Sequence, residues 1–189
     1  MKIISGEYGG RTLKTTVGPG YRPAMAKVRK ALFSMLEARG VHWSECRVLD
    51  LFAGSGSCGF EALSRGAAEG WFVESNPAAV KVIRSNAELL KVEAARWQVF
   101  HEDVSKFLRV APARAFDVVF IDPPYGKNFV SPAATALLRN RWLAPEAMIV
   151  AEAEAAVSEL PEVDSRLELL VNRTYGQTRI LIWGQLTEK

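Results

Sequence analysis

Apolar residues recur along the chain with two different spacings, and the pattern changes near residue 47. Over 24–36 they recur at helical spacing, which predicts an amphipathic helix with Pro23 in its first turn. From residue 47 onward, short apolar runs alternate with helical segments, as expected for strands that are covered on both faces. The chain therefore predicts an α/β fold built on a doubly wound sheet with right-handed crossovers.

The apolar runs and the segments between them give bounds for the elements of this sheet. Strands are predicted over 47–52, 70–74, 97–101, 116–121 and 147–151. Helices are predicted over 59–64, 77–90, 104–110 and 131–138.

Two hairpins are predicted at the ends of the chain. Residues 167–174 and 178–184 read as strands that only three residues separate, so we expect an antiparallel C-terminal hairpin on a mostly parallel sheet. Near the N-terminus, short strands over 2–5 and 11–16 flank a Gly-Gly pair and predict a small β-hairpin.

Composition limits the class of protein. A chain of 189 residues with 49% hydrophobic content can bury a substantial core. It has neither a long uncharged apolar run nor a signal-peptide pattern, so we expect a soluble, cytoplasmic protein that does not enter a membrane. Cys46 and Cys58 do not form a disulfide framework, and with two histidines they do not give a recognisable metal site. We expect no metal and a monomer.

The positive charge is concentrated at the N-terminal end. The chain has a net charge of +3, but residues 1–47 carry nine basic and three acidic side chains, which gives +6 there and −3 in the rest. This distribution favours a phosphate-binding extension beside a separate chemical site. An ordinary solvated basic surface is the alternative. We divide the chain into a basic hairpin and helix extension over 1–40 and a catalytic domain over 41–189.

The residues Asp122, Pro123, Pro124 and Tyr125 directly follow the apolar run 116–121. The two prolines stiffen the loop and lack N–H groups, so its carbonyl groups are free to accept hydrogen bonds. Asp122 and the Pro123 carbonyl can accept from an exocyclic amine while Tyr125 stacks on a planar ring. These four residues are the candidate catalytic loop, although a strand that merely ends in a proline turn would show the same pattern.

A glycine-rich loop follows the first strand of the sheet. Gly54, Gly56 and Gly59 satisfy G-x-G-x-x-G, and Glu74 ends the next strand, where a carboxylate can hold ribose hydroxyls. A dinucleotide site fits this spacing, but Asp50 beside the loop would repel a pyrophosphate and could instead hold an ammonium group. S-adenosylmethionine has a ribose, an adenine and an amino acid but no phosphate, so it fits better.

Asp103 lies just past the third strand, where it can accept from the adenine amine. A helix N-cap before Val104 is an equally good explanation of Asp103. The candidate cofactor-binding residues are Asp50, Phe52, Ala53, Gly54, Gly56, Glu74, Ser75, Asp103 and Val104.

With these residues, the chain resembles class I S-adenosylmethionine-dependent methyltransferases that act on exocyclic amines. The N-terminal Ile-Ile-Ser-Gly at 3–6, Arg22-Pro23, the stretch 28–33 and the stretch 61–66 narrow the resemblance to the bacterial RsmD family. That resemblance implies a Rossmann-like sheet and methylation of a guanine N2 in 16S ribosomal RNA, within a small-subunit assembly particle. The chain departs from the family pattern in having Ala24 and Met25 after Arg22-Pro23, so no hydroxyl role transfers to position 24.

The resemblance suggests which residues contact the RNA. The candidate substrate-binding residues are Arg11, Arg22, Arg29, Lys127 and Phe129. Core packing is the competing explanation for Phe129, and solvent exposure is the competing explanation for Lys127.

Other functions remain open from sequence. An N6-adenine DNA methyltransferase shares the amine-binding loop, but the chain has little room for a target-recognition domain. Glutamine methylation of protein would favour Asn in place of Asp122. A non-catalytic ribosome-assembly factor with a degenerate cofactor pocket is a third alternative, against which the intact set of Asp50, Gly54, Gly56, Glu74 and Asp122 argues. An NAD-dependent oxidoreductase is also formally open, but nothing downstream supplies a hydride-transfer acid or base in a recognised context.

Overall fold

A seven-stranded sheet forms the centre of the molecule, in the order β3-β2-β1-β4-β5-β7-β6. The computed structural model describes residues 1–15, 23–124, 128–156 and 160–186. The strands are β1 Arg47–Leu51, β2 Glu69–Glu74, β3 Trp97–His101, β4 Phe116–Ile121, β5 Leu143–Glu154, β6 Leu167–Tyr175 and β7 Thr178–Gln185. The α-helices are α1 Pro23–Glu37, α2 Ser57–Ser64, α3 Pro77–Leu90, α4 Val104–Phe107 and α5 Val130–Arg139.

The strand pairing confirms the predicted fold class. Strands β1 to β5 pair in parallel, whereas β7 pairs antiparallel with both β5 and β6. The chain runs outward from β1 to β3 on one side and from β4 to the C-terminal hairpin on the other. Loops at the carboxyl ends of β1 and β4 therefore diverge, and this is where open α/β sheets form a ligand-binding crevice.

Two hydrophobic clusters cover the two faces of the sheet. One contains buried residues of α1, α2 and α3 together with Val48, Phe72 and Phe120, and the other contains those of α4 and α5 with Leu49, Val119 and others. Strand residues alternate between these clusters, as the pleat of a strand requires. Among the described residues, none of the helices combines the length and apolar character needed to cross a membrane.

Two elements of the sheet domain differ in length from their predictions by more than two residues, and a proline lies near each difference. Helix α4 ends at Phe107 rather than at residue 110, shortly before Pro112, which disfavours helix in the residue that precedes it. Strand β5 begins at Leu143 rather than at residue 147, because its pairing with β4 shifts register around Pro145 and Glu146. The sequence pattern did not show that a strand continues across this irregularity.

The predicted N-terminal hairpin forms only in part. Lys2 and Thr12 make one isolated antiparallel bridge, and the Ile3 N–H donates to the Arg11 carbonyl at 3.0 Å. The strands predicted over 2–5 and 11–16 do not form a longer ladder, although the Leu13 N–H donates to the Met1 carbonyl at 2.6 Å and the Gly10 N–H to the Ile3 carbonyl at 2.9 Å. Residue 16 lies outside the described residues. The N–H groups of Ile4 and Ser5 donate to a side chain of α2.

That side chain is Glu61, which is fully buried and organises the N-terminal segment. Its two carboxylate oxygens accept from the Ile4 and Ser5 N–H groups at 2.7 and 3.1 Å. Arg65 donates to the same carboxylate at 2.9 Å, and Arg29 approaches it to 3.9 Å. Buried residues near the N-terminus therefore share one cluster with the sheet.

Candidate active site

The loop after β1 is fixed by the carboxylate of Glu74 at the end of β2. Glu74 Oε2 accepts from the Gly54 N–H at 2.8 Å, and Oε1 accepts from the Asn76 N–H at 2.7 Å. Asn76 in turn caps α3 by accepting from the N–H groups of Ala78 and Ala79. Each carboxylate oxygen has two lone pairs, so the half-buried Glu74 can still accept from ligand hydroxyls.

The glycines of the loop are required for different reasons. Gly54 has a φ of +56°, and the only contact within 4 Å of an added Cβ would be the Phe52 carbonyl at 3.9 Å, so the loop has space on this side. At Gly59, by contrast, an added Cβ would lie 2.3 Å from the ring of Phe72. Gly59 thus allows α2 to pack on the sheet, whereas Gly54 leaves the loop backbone accessible to a ligand.

Asp50 lies within β1, below this loop, and is only 3% exposed. Its Oδ2 accepts from the Gly59 N–H at 2.9 Å, which ties the strand to the first turn of α2. Burial raises the pKa of Asp50 well above its ordinary range, the hydrogen bond from Gly59 opposes this rise, and the negative charges of Asp122 and Glu74 add to it. A cationic ligand group would favour the ionised form of Asp50.

Asp103 caps α4, as one of its two sequence interpretations predicted. Its Oδ1 accepts from the N–H groups of Ser105 and Lys106, at 2.9 and 3.2 Å. The hydrogen bond from Ser105 is the main cause of a lowered Asp103 pKa. Asp103 is exposed, and Val104 behind it is buried. The carboxylate therefore faces the carboxyl-end edge of the sheet in its ionised form.

Ser75 lies next to Glu74 at the same edge and is exposed. Its carbonyl oxygen is 3.1 Å from Nε2 of His101 at the end of β3. Ala53 is buried and donates its N–H to the Val73 carbonyl at 3.1 Å. The tips of β1, β2 and β3 are thus linked through backbone and side-chain contacts.

Asp122 begins the proline loop at the end of β4, next to the tip of β1. Its N–H lies 3.5 Å from the Leu51 carbonyl, and Pro123 is buried while Pro124 is exposed. Protein atoms packed around the Asp122 carboxylate raise its pKa to about 6, although the residue as a whole is exposed. Tyr125, which was predicted to stack on a base, lies outside the described residues.

Phe129 contacts the loop that follows β1. The rings of Phe52 and Phe129 lie 5.4 Å apart at an interplanar angle of 35°. Phe52 has a φ of +57°, so a non-glycine residue adopts the left-handed region at the start of this loop. The aromatic pair joins the loop after β1 to the segment that follows the proline loop.

The predicted RNA contacts fall in different surroundings. Arg11 is exposed, but its guanidinium donates to the carbonyl groups of Leu89 and Leu90 at 2.8 and 2.9 Å, which caps α3. Arg22 and Lys127 lie outside the described residues.

Arg29 requires a correction. It is only 4% exposed, and it donates to the Lys2 carbonyl and to Sδ of Met1 while it approaches Glu61. A buried guanidinium cannot present itself to a phosphate, so the predicted contact of Arg29 with RNA is wrong. Arg29 instead provides positive charge inside the protein and secures the N-terminal segment.

The sequence analysis missed Glu152 on β5. Glu152 lines a small cavity of about 10 Å³ with Asp122, Cys58, Leu32 and other residues. A signal was present, because Glu152 follows the apolar residues 147–151 just as Asp122 follows 116–121. The residues that follow Glu152 are acidic or small and form no recognisable motif, so the sequence alone did not identify it.

The residues brought together here fit S-adenosylmethionine better than a dinucleotide. Asp50, Glu74, Asp122 and Glu152 place several carboxylates at the carboxyl ends of neighbouring strands. Burial and the negative charges of the other three raise the pKa of Asp50, and burial and the charge of Asp122 raise that of Glu152. Such a site would repel a pyrophosphate and attract an ammonium or sulfonium group. Glu74 has lone pairs that ribose hydroxyls can use, and Gly54 leaves open backbone.

Comparison with known proteins agrees with this chemistry. The model of a family described as conserved hypothetical protein 95 matches residues 1–184. Ribosomal RNA small subunit methyltransferase D of Haemophilus influenzae is 39% identical over 155 residues, which cover 82% of this chain and 79% of that protein. The protein of the same name from Escherichia coli K12 is 35% identical over 177 residues, covering 94% and 86%.

A solved structure shows the same similarity in three dimensions. It is described as the methyltransferase yhhF from Escherichia coli and superposes with a TM-score of 0.84 at 31% sequence identity. The match covers 100% of this chain and 99% of that one. The similarity therefore includes both the sheet and the N-terminal segment.

Proposed function

Because the chain belongs to the RsmD family of S-adenosylmethionine-dependent methyltransferases, the family described as conserved hypothetical protein 95, we propose that it methylates a guanine in 16S ribosomal RNA. The methyl group is transferred from S-adenosylmethionine to the exocyclic N2 amine. The observation that carries the proposal is that Asp122 and Pro123 follow β4 next to the end of β1, where the strand order reverses and the Asp122 N–H lies 3.5 Å from the Leu51 carbonyl. The amine acceptor and the cofactor loop thus share one crevice.

The cofactor is held by groups on the β1, β2 and β3 side of that crevice. Glu74 accepts from the ribose hydroxyls, and its bonds from the Gly54 and Asn76 N–H groups fix its orientation in advance. Asp103 accepts from the adenine amine through Oδ2, while Oδ1 caps α4. Asp50 provides negative charge for the ammonium group. S-adenosylmethionine supplies an electrophilic methyl group on a sulfonium.

The amine is held by the proline loop. A guanine amine is a poor nucleophile because its lone pair is delocalised into the ring. Asp122 and the Pro123 carbonyl accept its two N–H bonds, which orients the nitrogen and stabilises the positive charge that develops on it. A new N–C bond forms as the C–S bond breaks, and the amine then loses one proton to water or to Asp122. Tyr125 stacks on the base after it has turned out of the RNA.

Basic residues of the N-terminal segment are proposed to bind RNA phosphates. Residues 1–47 carry a net charge of +6, and the segment is fastened to α2 and α3 beside the catalytic domain. Arg11, Arg22, Lys127 and Phe129 are the proposed substrate-binding residues, and Arg29 is removed from that set. We propose that the enzyme acts as a monomer on a small-subunit assembly particle.

Methyl transfer provides the direct test. Labelled S-adenosylmethionine is incubated with the enzyme and 16S RNA, either free or within small-subunit particles from cells that lack the enzyme. The expected result is label in N2-methylguanosine after digestion to nucleosides, with more label in particles. Label in N6-methyladenosine, or cofactor binding without methylation of any RNA, would refute the proposal. The Asp122→Ala variant provides the matched background control.

A further inference from the structure

Asp122 and Glu152 lie next to each other at the carboxyl ends of neighbouring strands. In the parallel β4–β5 pair, Ile121 is opposite Ala151, so the two acidic residues directly follow a paired position. Neighbouring strands lie about 4.8 Å apart, and side chains at the same register point to the same face. Both residues line the same cavity, together with Leu32 from α1. Two carboxylates are therefore presented together where the amine-binding loop begins.

The surroundings of this pair favour a ligand with several hydrogen-bond donors. Burial and the negative charge of Asp122 raise the pKa of Glu152 to about 7, and the buried Arg29 opposes that rise. Among the residues that the structure describes, neither carboxylate accepts a hydrogen bond from another side chain or backbone group. Two adjacent carboxylates repel each other until donors are placed between them.

A guanine presents such a set of donors. Its N1–H and N2 amine lie side by side on one edge of the base. In adenine and cytosine the exocyclic amine instead lies beside a ring nitrogen that is an acceptor. An ionised carboxylate next to the amine acceptor would bind the N1–H of guanine but would repel the lone pair of the other bases. Asp122 alone cannot make this distinction, because all three bases have an amine.

We propose that Glu152 selects guanine by accepting a hydrogen bond from N1–H of the base whose N2 amine is held by Asp122 and the Pro123 carbonyl. The inference rests on the proposed function and adds a residue that distinguishes among bases. Glu152 contacts the substrate but does not take part in bond formation. Replacing the N1–H donor by a lone pair leaves the carboxylate unpaired or repelled, which we expect to lower kcat/KM about 10- to 100-fold.

The test compares guanine with 2-aminopurine, which keeps the N2 amine but has an acceptor at N1. Once nucleoside analysis has located the methylated guanine, a ligated 16S RNA carrying 2-aminopurine at that position is prepared. For the wild-type enzyme we expect kcat/KM to be at least about tenfold higher with guanine. In Glu152→Gln the amide can rotate and donate to N1, so we expect this preference to fall at least about tenfold. Glu154→Gln, two residues further along β5, should keep the wild-type preference.

The outcomes distinguish a failure of the role of Glu152 from a failure of the proposed function. A wild-type enzyme that methylates both bases equally overturns the role of Glu152, even if the variants do not fold. An unchanged preference in Glu152→Gln with normal cofactor binding overturns it too, as does an equal loss on both bases. If the wild-type enzyme transfers no methyl group to guanine N2 in any RNA, the proposed function itself fails and the inference fails with it.

Discussion

Glu74 and Gly54 are joined across the tips of two neighbouring strands, because Oε2 of Glu74 accepts from the Gly54 N–H at 2.8 Å. One carboxylate thus holds the loop in shape and is also the proposed acceptor for ribose hydroxyls. These two roles make Glu74 different from a carboxylate that contacts only the ligand. Its removal would both delete a ligand contact and release the loop.

Glu74→Gln is therefore expected to weaken S-adenosylmethionine binding about 10- to 100-fold. The amide has one acceptor oxygen instead of two. It therefore accepts less well than a carboxylate when the N–H groups of Gly54 and Asn76 and the ribose hydroxyls all donate to it. Isothermal titration calorimetry measures the effect as a change in Kd. Glu88→Gln, on the exposed side of α3, is the control and should leave Kd unchanged. An unaltered Kd for Glu74→Gln would exclude Glu74 from the cofactor site.

Asp122→Ala is expected to lower kcat by about a hundredfold or more while cofactor affinity is largely retained. In the proposed mechanism Asp122 orients the amine and stabilises its developing charge, and loss of an oriented group of this kind has effects of that size. Single-turnover methyl transfer to RNA measures the chemical step separately from product release. Asp122→Asn, which keeps the shape and one acceptor, should retain more activity than Asp122→Ala. Wild-type turnover in the alanine variant would contradict the role.

Glu61→Ala should strongly destabilise the protein. Its loss leaves the N–H groups of Ile4 and Ser5 and the buried guanidinium of Arg29 without their carboxylate, and breaking a buried ionic network costs about 3–5 kcal/mol. Chemical denaturation gives the free energy of unfolding. The control is Glu7→Ala, because the side chain of Glu7 is 61% exposed and its pairing with Arg96 is expected to contribute about 0–1 kcal/mol. Equal effects of the two substitutions would refute this account.

Much of the fold could be predicted from sequence because the buried strands are short, apolar and separated by clear helical segments. The G-x-G-x-x-G spacing and the proline loop also follow β1 and β4, as the sequence predicted. What the pattern could not show was the part of the structure that depends on a distant side chain. Ile4 and Ser5 have strand-like neighbours, but their N–H groups donate to Glu61, which is more than fifty residues away in sequence.

The surroundings of Arg29 and Glu152 likewise could not be predicted from the local sequence. A basic residue on an amphipathic helix is normally solvated, and nothing local indicates that Arg29 is buried against the N-terminal segment. Glu152 is recognisable only after the strand order places β5 beside β4. Side chains that the strand order brings together can be recognised only when the order of the strands is known.

The final prediction concerns the dependence of stability on pH. Burial and the charge of Asp122 raise the pKa of Glu152 from 4.5 to about 7 in the folded protein. Between these values the folded state binds more protons than the unfolded state, so the free energy of unfolding falls as pH rises through that range. Charged Glu152 thus destabilises the fold at pH 8, and this effect disappears toward pH 5.

Glu152→Gln removes this titration and should therefore be more stable than the wild-type protein at pH 8, with the difference shrinking as the pH is lowered to 5. Thermal unfolding of both proteins over this range measures the difference in Tm. Because Glu152 is only half-buried, solvent screening reduces the size of the effect but not its sign. A difference in Tm that is independent of pH, or one that grows as the pH falls, would mean that Glu152 is not held beside the charge of Asp122.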